Sequence, residues 1–292
     1  MGRLRILHET RYDYERSVAF GPQRLLIRPR DSHALRIVSA SLSLSPPGDT
    51  RWSYDANGNC VCLFQPSQPA DFMQVSSELV IDRYPAPLWP HRAADVHTLT
   101  PIVYAREDRV TLEPFIAPVT DDPDARLLRW LRDLQADRDE PALAFLLRLN
   151  QQIHRDFDYR GREAEGVQSP VETLDAQSGA CRDLAWLMVE GLRRLGYAAL
   201  FATGYIHSPG AEIRGAGATH AWCEVFLPDL GWLEFDPTNG IAESPDLIRV
   251  AATRTPAQAL PVSGAILGDP GASRMHVSVD VRLAGEIAPA AA

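Results

Sequence analysis

The sequence SGACRDLAWLMVEGLRRLGY, residues 178–197, decides the fold of this chain. Its apolar side chains recur at three- and four-residue steps, which predicts an amphipathic helix. Ser178 is expected to cap the start of this helix, and Gly196 is expected to follow its last turn because glycine readily adopts the left-handed conformation found there. Cys181 then lies in the first helical turn. The expected buried stripe consists of Leu184, Met188, Gly191, Leu192 and Leu195.

Strands are predicted after this helix, and further helices are predicted before it. The later segments AALFATGYI, THAWCEVFLP and GWLEFDP are short and rich in strand-forming residues. The earlier segments DARLLRWLRDLQ and PALAFLLRLNQQIHRDF have helical periodicity. Helices followed by strands are typical of an α+β domain.

The beginning of the chain has a different pattern. LRIVSASLSL alternates apolar side chains with serines, and PPGD at 46–49 and DANGN at 55–59 are turn signals. Several short strands at this spacing predict a β-sandwich. The predicted organisation is a β-rich N-terminal domain, a connecting segment, an α+β core and a C-terminal extension with one strand, over residues 1–85, 86–120, 121–245 and 246–292.

Composition limits the classes of function. The chain has 292 residues, of which 45% are apolar and 23% are charged, as in globular proteins of about two domains. The net charge is −9, whereas nucleic-acid-binding proteins usually carry a basic excess, so we expect no nucleic-acid partner. We find no targeting signal and no apolar stretch long enough to span a bilayer, so we expect no membrane partner and a cytoplasmic location.

The four cysteines are Cys60, Cys62, Cys181 and Cys223. In a chain of this size they do not indicate a disulfide framework. Cys60 and Cys62 share one face of a predicted strand, but a metal site would need two more ligands, and no residues have recognisable spacing for them. We therefore expect this pair in the core, and we expect no metal ion and no cofactor.

Cys181 and His220 are the candidates for nucleophile and base. The free N–H groups and the dipole at a helix N-terminus favour a thiolate, and a neighbouring histidine favours it further. His220 begins the predicted strand THAWCEVF, in which Cys223 points to the opposite face. Cys181 is therefore the candidate nucleophile, and the first N–H groups of its helix are candidates for an oxyanion hole.

Asp236 is the candidate for the residue that orients the histidine. THAWCEVF and GWLEFDP are expected to form an antiparallel hairpin around the five-residue loop Leu227–Gly231, with Phe226 facing Trp232. In that register Asp236 lies diagonally next to His220 on the same face. A shift by one residue would place the two side chains on opposite faces of the sheet.

Each member of this predicted triad has a simpler explanation when taken alone. Cys181 could be a small buried hydrophobic residue, His220 a core histidine, and Asp236 a turn former before proline. Their order along the chain and their shared strand face together favour the catalytic interpretation. A carboxylate at Asp236 would fix the tautomer and the orientation of the imidazole.

The segments SGACRDLAWLM and THAWCEVFLPDLGWLEFDPTN closely resemble the bacterial transglutaminase-like family, which is related to papain-type cysteine proteases. The beginning of the chain resembles the β-rich N-terminal domain that accompanies this core in bacteria. The resemblance implies an α+β fold, with an N-terminal β-sandwich followed by a papain-like transglutaminase core. It places Cys181, His220 and Asp236 on the family's catalytic triad, and Tyr159 at an aromatic position near the active site.

The predicted function is thiol-dependent acyl transfer at amide bonds of a peptide or protein substrate. If water is the acceptor, the protein is a cysteine protease or an amidase. If a lysine amine is the acceptor, it is a protein-glutamine gamma-glutamyltransferase. The residues leave both open, and the resemblance favours hydrolysis. A binding module without turnover is a third alternative, and the oligomeric state is open.

Overall fold

The computed structural model describes residues 2–84, 97–135, 140–162, 165–207 and 213–285. In chain order its strands are β1 (Gly2–Leu25), β2 (Leu35–Ser45), β3 (Gly48–Tyr54), β4 (Cys60–Pro66), β5 (Ala70–Arg83), β6 (Asp158–Tyr159), β7 (Ser178–Gly179), β8 (Ala199–Ile206), β9 (His220–Leu227), β10 (Gly231–Asp236), β11 (Ile241–Ala242), β12 (Leu247–Thr253), β13 (Val262–Leu267) and β14 (Ser273–Leu283). The α-helices are α1 (Arg106–Ile116), α2 (Arg126–Leu134), α3 (Ala142–Asp156), α4 (Pro170–Ala176) and α5 (Cys181–Arg194). None of these described helices is long and apolar enough to cross a membrane.

Strand β1 organises the N-terminal sheet. Its first half pairs with β5 on one side and with β14 on the other, and its second half pairs with β4 and β13. β2 extends the sheet beyond β5, and β3 extends it beyond β4. Buried side chains from both halves, among them Leu25, Phe64 and Met73, form one core cluster. The predicted N-terminal β-domain is therefore present, with both halves of its sheet packed on a shared core.

The C-terminal extension differs from the prediction of a single strand. β12 pairs with β8 of the core, whereas β13 and β14 pair with β1. β14 runs along β1 from the pair Leu4–Leu283 to the pair Tyr14–Ser273. The partners of these strands lie far away along the chain, so the local pattern of the sequence does not reveal them. Strands β12, β13 and β14 therefore add to both sheets. The segment that we predicted to begin at residue 246 is not a separate domain.

The core domain is an antiparallel five-stranded sheet in the order β11-β10-β9-β8-β12, with α5 packed across β8 and β9. α5 is buried on nearly all sides, and not only along the predicted stripe. Even Glu190 and Arg193 are buried in it, and they form an ion pair of 3.0 Å. Glu190 also accepts hydrogen bonds from the backbone N–H and the hydroxyl of Thr120. A helix held in this way presents its N-terminal residue in a fixed place.

The two ends of α5 test the predicted caps. Gly196 follows the helix with a φ of +87°, as predicted from the sequence. Ser178 does not cap the start, because it lies in β7, and the N-cap residue is Ala180. β7 pairs in parallel with β6, which brings Tyr159 beside Gly179 and close to the start of the helix.

Candidate active site

Cys181 is the first residue of α5, and the chain turns tightly just before it. The carboxylate of Asp183 accepts a hydrogen bond of 2.9 Å from the backbone N–H of Ala180. A Cβ at Gly179 would lie only 2.7 Å from Cβ of Asp183. The turn therefore requires glycine at this position, and it holds the sulfur of Cys181 at the N-terminal end of the helix.

Asp183 is completely buried, and three groups compensate its charge. In addition to Ala180, its carboxylate accepts hydrogen bonds from the backbone N–H of Gln168 at 2.8 Å and from two guanidinium nitrogens of Arg162 at 3.1 Å each. Such pairing is what allows a carboxylate to be buried, and a negative charge in the first turn also suits the helix dipole. Asp183 thus fixes the start of α5, a role that we did not predict from the sequence.

The hairpin of β9 and β10 has the predicted register. Phe226 pairs with Trp232, and Cys223 pairs with Phe235. The loop is shorter than predicted, because Leu227 and Gly231 pair with each other and only residues 228–230 lie between them. Gly231 has a φ of +83°, the left-handed conformation that commonly closes a three-residue hairpin loop. The register is confirmed, since it depends on the pairing and not on the loop length.

His220 and Asp236 form a buried pair on one face of this hairpin. Nε2 of His220 lies 2.8 Å from Oδ2 of Asp236, and the two residues are 1% and 0% exposed. The carboxylate can only accept, so Nε2 carries the proton and donates it. Oδ1 of Asp236 accepts the backbone N–H of Thr238 at 2.9 Å, and Oδ2 also accepts the side-chain amide of Asn239 at 2.8 Å. The predicted diagonal contact is confirmed.

Electrostatics favour the charged form of this pair. Burial opposes a charge on His220, but the charge and the hydrogen bond of Asp236, together with Cys181, outweigh burial and raise the pKa of His220 to about 10. Burial likewise opposes ionisation of Asp236, yet His220 and the hydrogen bonds from Asn239 and Thr238 lower the pKa of its carboxyl. An imidazolium beside a carboxylate is therefore the expected state near neutral pH.

The second imidazole nitrogen, Nδ1, is left for the thiol of Cys181. Nδ1 is buried and makes no hydrogen bond of good geometry, while the thiol is near enough to raise the pKa of His220 as a hydrogen-bonding neighbour. Hydrogen bonds between catalytic groups are often loose until a substrate binds. Gly215 covers the same edge of the ring, because a Cβ there would lie 2.9 Å from Nδ1 and 3.6 Å from the hydroxyl of Tyr159.

Sequence comparison identifies relatives along most of the chain. The bacterial transglutaminase-like N-terminal region matches residues 4–82, and the transglutaminase-like superfamily core matches residues 129–237. An uncharacterised protein of Mycobacterium tuberculosis is 31% identical over 300 residues, which cover 96% of this chain and 92% of that protein. The chain belongs to the transglutaminase-like superfamily.

Two further comparisons relate this transglutaminase-like chain to proteins with assigned roles. A protein-glutamine gamma-glutamyltransferase of Pseudomonas aeruginosa is 33% identical over 138 residues, which cover 43% of this chain and 20% of that protein. The crystal structure of a candidate cysteine protease from Cytophaga hutchinsonii has a TM-score of 0.72 at 18% identity, and the match covers 99% of this chain and 93% of that one. At this identity the structural likeness shows the fold alone, and it agrees with the predicted α+β class.

The other three cysteines of this transglutaminase-like protein lie away from the histidine. Cys60 and Cys62 belong to β4 in the N-terminal sheet, where burial raises the pKa of both thiols, to about 11 for Cys62. Cys223 packs on the α5 side of β9, and burial raises the pKa of its thiol strongly. All four cysteines, including Cys181, are free thiols.

Cys181 is therefore expected to react fastest with iodoacetamide near neutral pH. Exposure does not decide this order, because Cys181 and Cys60 are 9% and 8% exposed. The surroundings decide it, since Cys181 lies at a helix N-terminus close to His220 whereas the other three thiols lie in apolar cores. Mass spectrometry of peptides after a brief labelling pulse measures the order. Preferential labelling of Cys60 or Cys62 would contradict it.

Two side chains that the sequence analysis did not select support the histidine. Trp222 stacks beside His220 with ring centroids 6.2 Å apart and 29° between the planes, and it donates Nε1–H to Glu234 at 3.2 Å. Asn239 donates a hydrogen bond from its side-chain amide to the carboxylate of Asp236. The sequence DPTN could have indicated this turn, because an aspartate in a turn often accepts a hydrogen bond from the backbone N–H two residues later.

Within the described residues, no group of three histidine, cysteine, aspartate or glutamate side chains is arranged to hold a metal ion.

Proposed function

We propose that this protein is a thiol-dependent acyl-transfer enzyme that hydrolyses amide bonds in a peptide or protein substrate. Cys181 is the nucleophile, His220 transfers protons, and Asp236 orients His220. The observation that carries the proposal is the buried 2.8 Å contact between His220 and Asp236, with Cys181 near enough to the ring to raise the pKa of His220. Membership in the transglutaminase-like superfamily supports the same chemistry.

Acylation begins with the sulfur of Cys181. The thiolate attacks the amide carbonyl carbon, a C–S bond forms, and the π electrons of the carbonyl move to its oxygen. When this intermediate collapses, the C–N bond breaks and the leaving nitrogen takes a proton from Nδ1 of His220. The products of this step are a free amine or ammonia, a thioester on Cys181 and a neutral imidazole.

Deacylation reverses the role of His220. Nδ1 removes a proton from water, whose oxygen attacks the thioester carbonyl, and the C–S bond then breaks. A carboxylic acid leaves, and the thiolate and the imidazolium are restored. Asp236 keeps the proton on Nε2 throughout, because its carboxylate stays ionised and accepts that hydrogen bond at 2.8 Å.

The N-terminal end of α5 supplies donors for the negative oxygen of the intermediates. N–H groups in the first helical turn have no carbonyl partner within the helix, and that of Cys181 is adjacent to the reacting sulfur. Tyr159 is the candidate second donor. Burial raises the pKa of its phenol, with a further contribution from Cys181, so the hydroxyl keeps the proton that it would donate.

One experiment distinguishes hydrolysis from transamidation: the protein is incubated with denatured casein, with and without an excess of the amine dansylcadaverine. Hydrolysis releases peptides or ammonia from casein without incorporation of the amine, and Cys181→Ala provides the blank. The proposed activity requires release by the wild-type protein in the absence of the amine. Incorporation of dansylcadaverine as the main product would show that water is not the preferred acceptor.

A transglutaminase is the second candidate. The 33% identity over 138 residues with the glutamyltransferase of Pseudomonas aeruginosa favours it. In that reaction a glutamine carboxamide acylates Cys181 and loses ammonia, and a lysine amine then attacks the thioester. The triad performs the same proton transfers, so the two activities differ only in the acceptor that reaches the thioester.

The rate of amide cleavage is expected to fall as the pH rises through about 10. The reason is that the pKa of His220 is raised from 6.5 to about 10, so the ring is charged through the neutral range and loses its proton only above it. Without that proton, the leaving nitrogen is not protonated during acylation. The pH dependence of kcat/KM measures this alkaline limb. A limb centred near the ordinary histidine value would contradict it.

A further inference from the structure

A short segment before β9 lies against the active-site histidine. Residues 213–217, with the sequence IRGAG, form what we name the histidine loop. Gly215 is in contact with the ring, since a Cβ at this position would lie 2.9 Å from Nδ1 of His220, and its φ is +86°. Only glycine satisfies both the close approach and the left-handed backbone. The loop therefore covers the Nδ1 edge of the imidazole.

One end of the histidine loop is fixed from the core domain. The side-chain oxygen of Asn239 accepts the backbone N–H of Arg214 at 2.9 Å, and the amide of Asn239 donates to the carbonyl of Arg214 at 3.2 Å. The same amide donates to the carboxylate of Asp236 at 2.8 Å. A single side chain thus holds both the loop and the carboxylate that orients His220.

The other end of the histidine loop is fixed from the N-terminal sheet. The backbone N–H of Val279, in β14, donates to the carbonyl of Gly217 at 2.9 Å. On its opposite edge Val279 is paired with His8 of β1, and its side chain is buried with Tyr205 and Ile248. Because β14 is paired with β1 over its whole length, this donor belongs to a rigid sheet.

We propose that the N-terminal sheet positions His220 for acyl transfer, by holding the histidine loop at Gly217 through the backbone N–H of Val279. Val279 is then a positioning residue, although it touches neither the thiol nor the imidazole. The inference rests on the proposed function, because it assigns a role in the reactivity of Cys181. It also gives the N-terminal domain a part in building the active site.

The physical reason is that the loop restrains the imidazole on an otherwise unrestrained side. Asp236 binds Nε2 and Trp222 stacks beside the ring, but neither occupies the edge at Nδ1. Gly215 lies against that edge, so it limits rotation of the ring. Loss of one anchor lets the loop move, and the proton-transferring group then spends less time in the productive geometry.

Val279→Pro tests the anchor, because proline removes the N–H that Gly217 accepts and is tolerated on the free edge of a strand. Val277→Pro is the matched control. Val277 lies on the same face of β14, two residues earlier, and its side chain packs on the same cluster as Val279. Its N–H also points to the free edge by strand alternation, but the bond to the histidine loop belongs to Val279.

The readouts are the rate of alkylation of Cys181 by iodoacetamide near neutral pH and the ¹⁵N NMR signals of the His220 ring. Val279→Pro is expected to slow alkylation about fivefold to tenfold, the equivalent of one lost hydrogen bond, and to shift the His220 signals. Val277→Pro is expected to leave the alkylation rate within about twofold and the His220 signals in place. Circular dichroism shows whether both variants are folded.

Equal alkylation rates and unshifted His220 signals in the two variants would overturn the inference while leaving the triad intact. A wild-type Cys181 no more reactive than Cys60 would instead defeat the proposed function, and the inference with it. If Val279→Pro does not fold, Gly217→Ala and Gly268→Ala decide the matter. Both glycines have a positive φ and open space for a Cβ, but only Gly217 carries the anchored carbonyl, so only Gly217→Ala is expected to shift the His220 signals. Unshifted His220 signals in Gly217→Ala, as in Gly268→Ala, would overturn the inference.

Discussion

Replacing Cys181 with alanine is expected to reduce the rate of amide cleavage by at least about a thousandfold, because no other group can form the acyl-enzyme. The fold is expected to remain intact. Alanine suits the first turn of α5, and the side chain of Asp183 and the backbone of Ala180 hold that turn without the sulfur. Peptide release from casein and the thermal unfolding midpoint measure the two effects.

Cys223→Ala is the matched control for this substitution. Cys223 is also a buried thiol, but it lies on the opposite face of β9 from His220. Its loss is expected to lower stability by creating a small cavity, with little change in the rate. A Cys181→Ala variant that retained more than a small fraction of the wild-type rate would remove Cys181 from the role of nucleophile.

Asp236→Asn is expected to reduce the rate by roughly a thousandfold to ten-thousandfold. The amide would remove the negative charge that raises the pKa of His220, and it can present an N–H to Nε2 where a carboxylate only accepts. The imidazole would then adopt the wrong tautomer or turn away from Cys181. The alkaline limb of kcat/KM is expected to move to lower pH as the pKa of His220 falls.

Asp55→Asn provides the control for the structural part of this effect. Asp55 accepts the backbone N–H groups of Asn57 and Asn59 in a turn of the N-terminal sheet, much as Asp236 accepts those of Thr238 and Asn239. A loss of stability in both variants, with a loss of rate only in Asp236→Asn, is the expected result. If Asp236→Asn kept its rate and its alkaline limb, Asp236 would not orient the histidine.

The features that the sequence predicted are those encoded by local periodicity. Alternation along β9 and β10 fixed which residues share a face, so the pairing of Phe226 with Trp232 and the contact between His220 and Asp236 followed. Cys181 at the start of α5 followed from the helical pattern and from the glycine before it. These signals extend over a few residues, which is the range that a single sequence reveals.

The features that escaped prediction depend on contacts that are distant along the chain. β13 and β14 join β1 at the opposite end of the sequence. Asp183 holds the start of α5 by accepting the backbone N–H of Ala180, in place of the expected cap from Ser178, and Arg162 compensates its buried charge. Tertiary packing determines such partners, and neither Asp183 nor Arg162 lies in a local sequence pattern that indicates its role.

The three-residue hairpin loop is a smaller departure with a local cause. A five-residue loop was predicted from Pro228 and Gly231, but the left-handed Gly231 allows the strands to pair one residue further on each side. The pairing partners of the strands are the same in both cases. The position of Asp236 relative to His220 therefore does not change.

The protonation state of His220 tests the central claim most directly, because the proposed mechanism requires an imidazolium held between Asp236 and the thiolate of Cys181. In protein labelled with ¹⁵N-histidine, NMR spectra recorded across the alkaline range report both ring nitrogens. At about pH 8, well above the ordinary histidine pKa, the His220 ring is expected to be doubly protonated. It is expected to titrate with a pKa near the raised value of about 10, and at lower pH in Cys181→Ala, because the thiol contributes to the rise. A neutral His220 ring at about pH 8, with the same titration in wild type and Cys181→Ala, would contradict the triad.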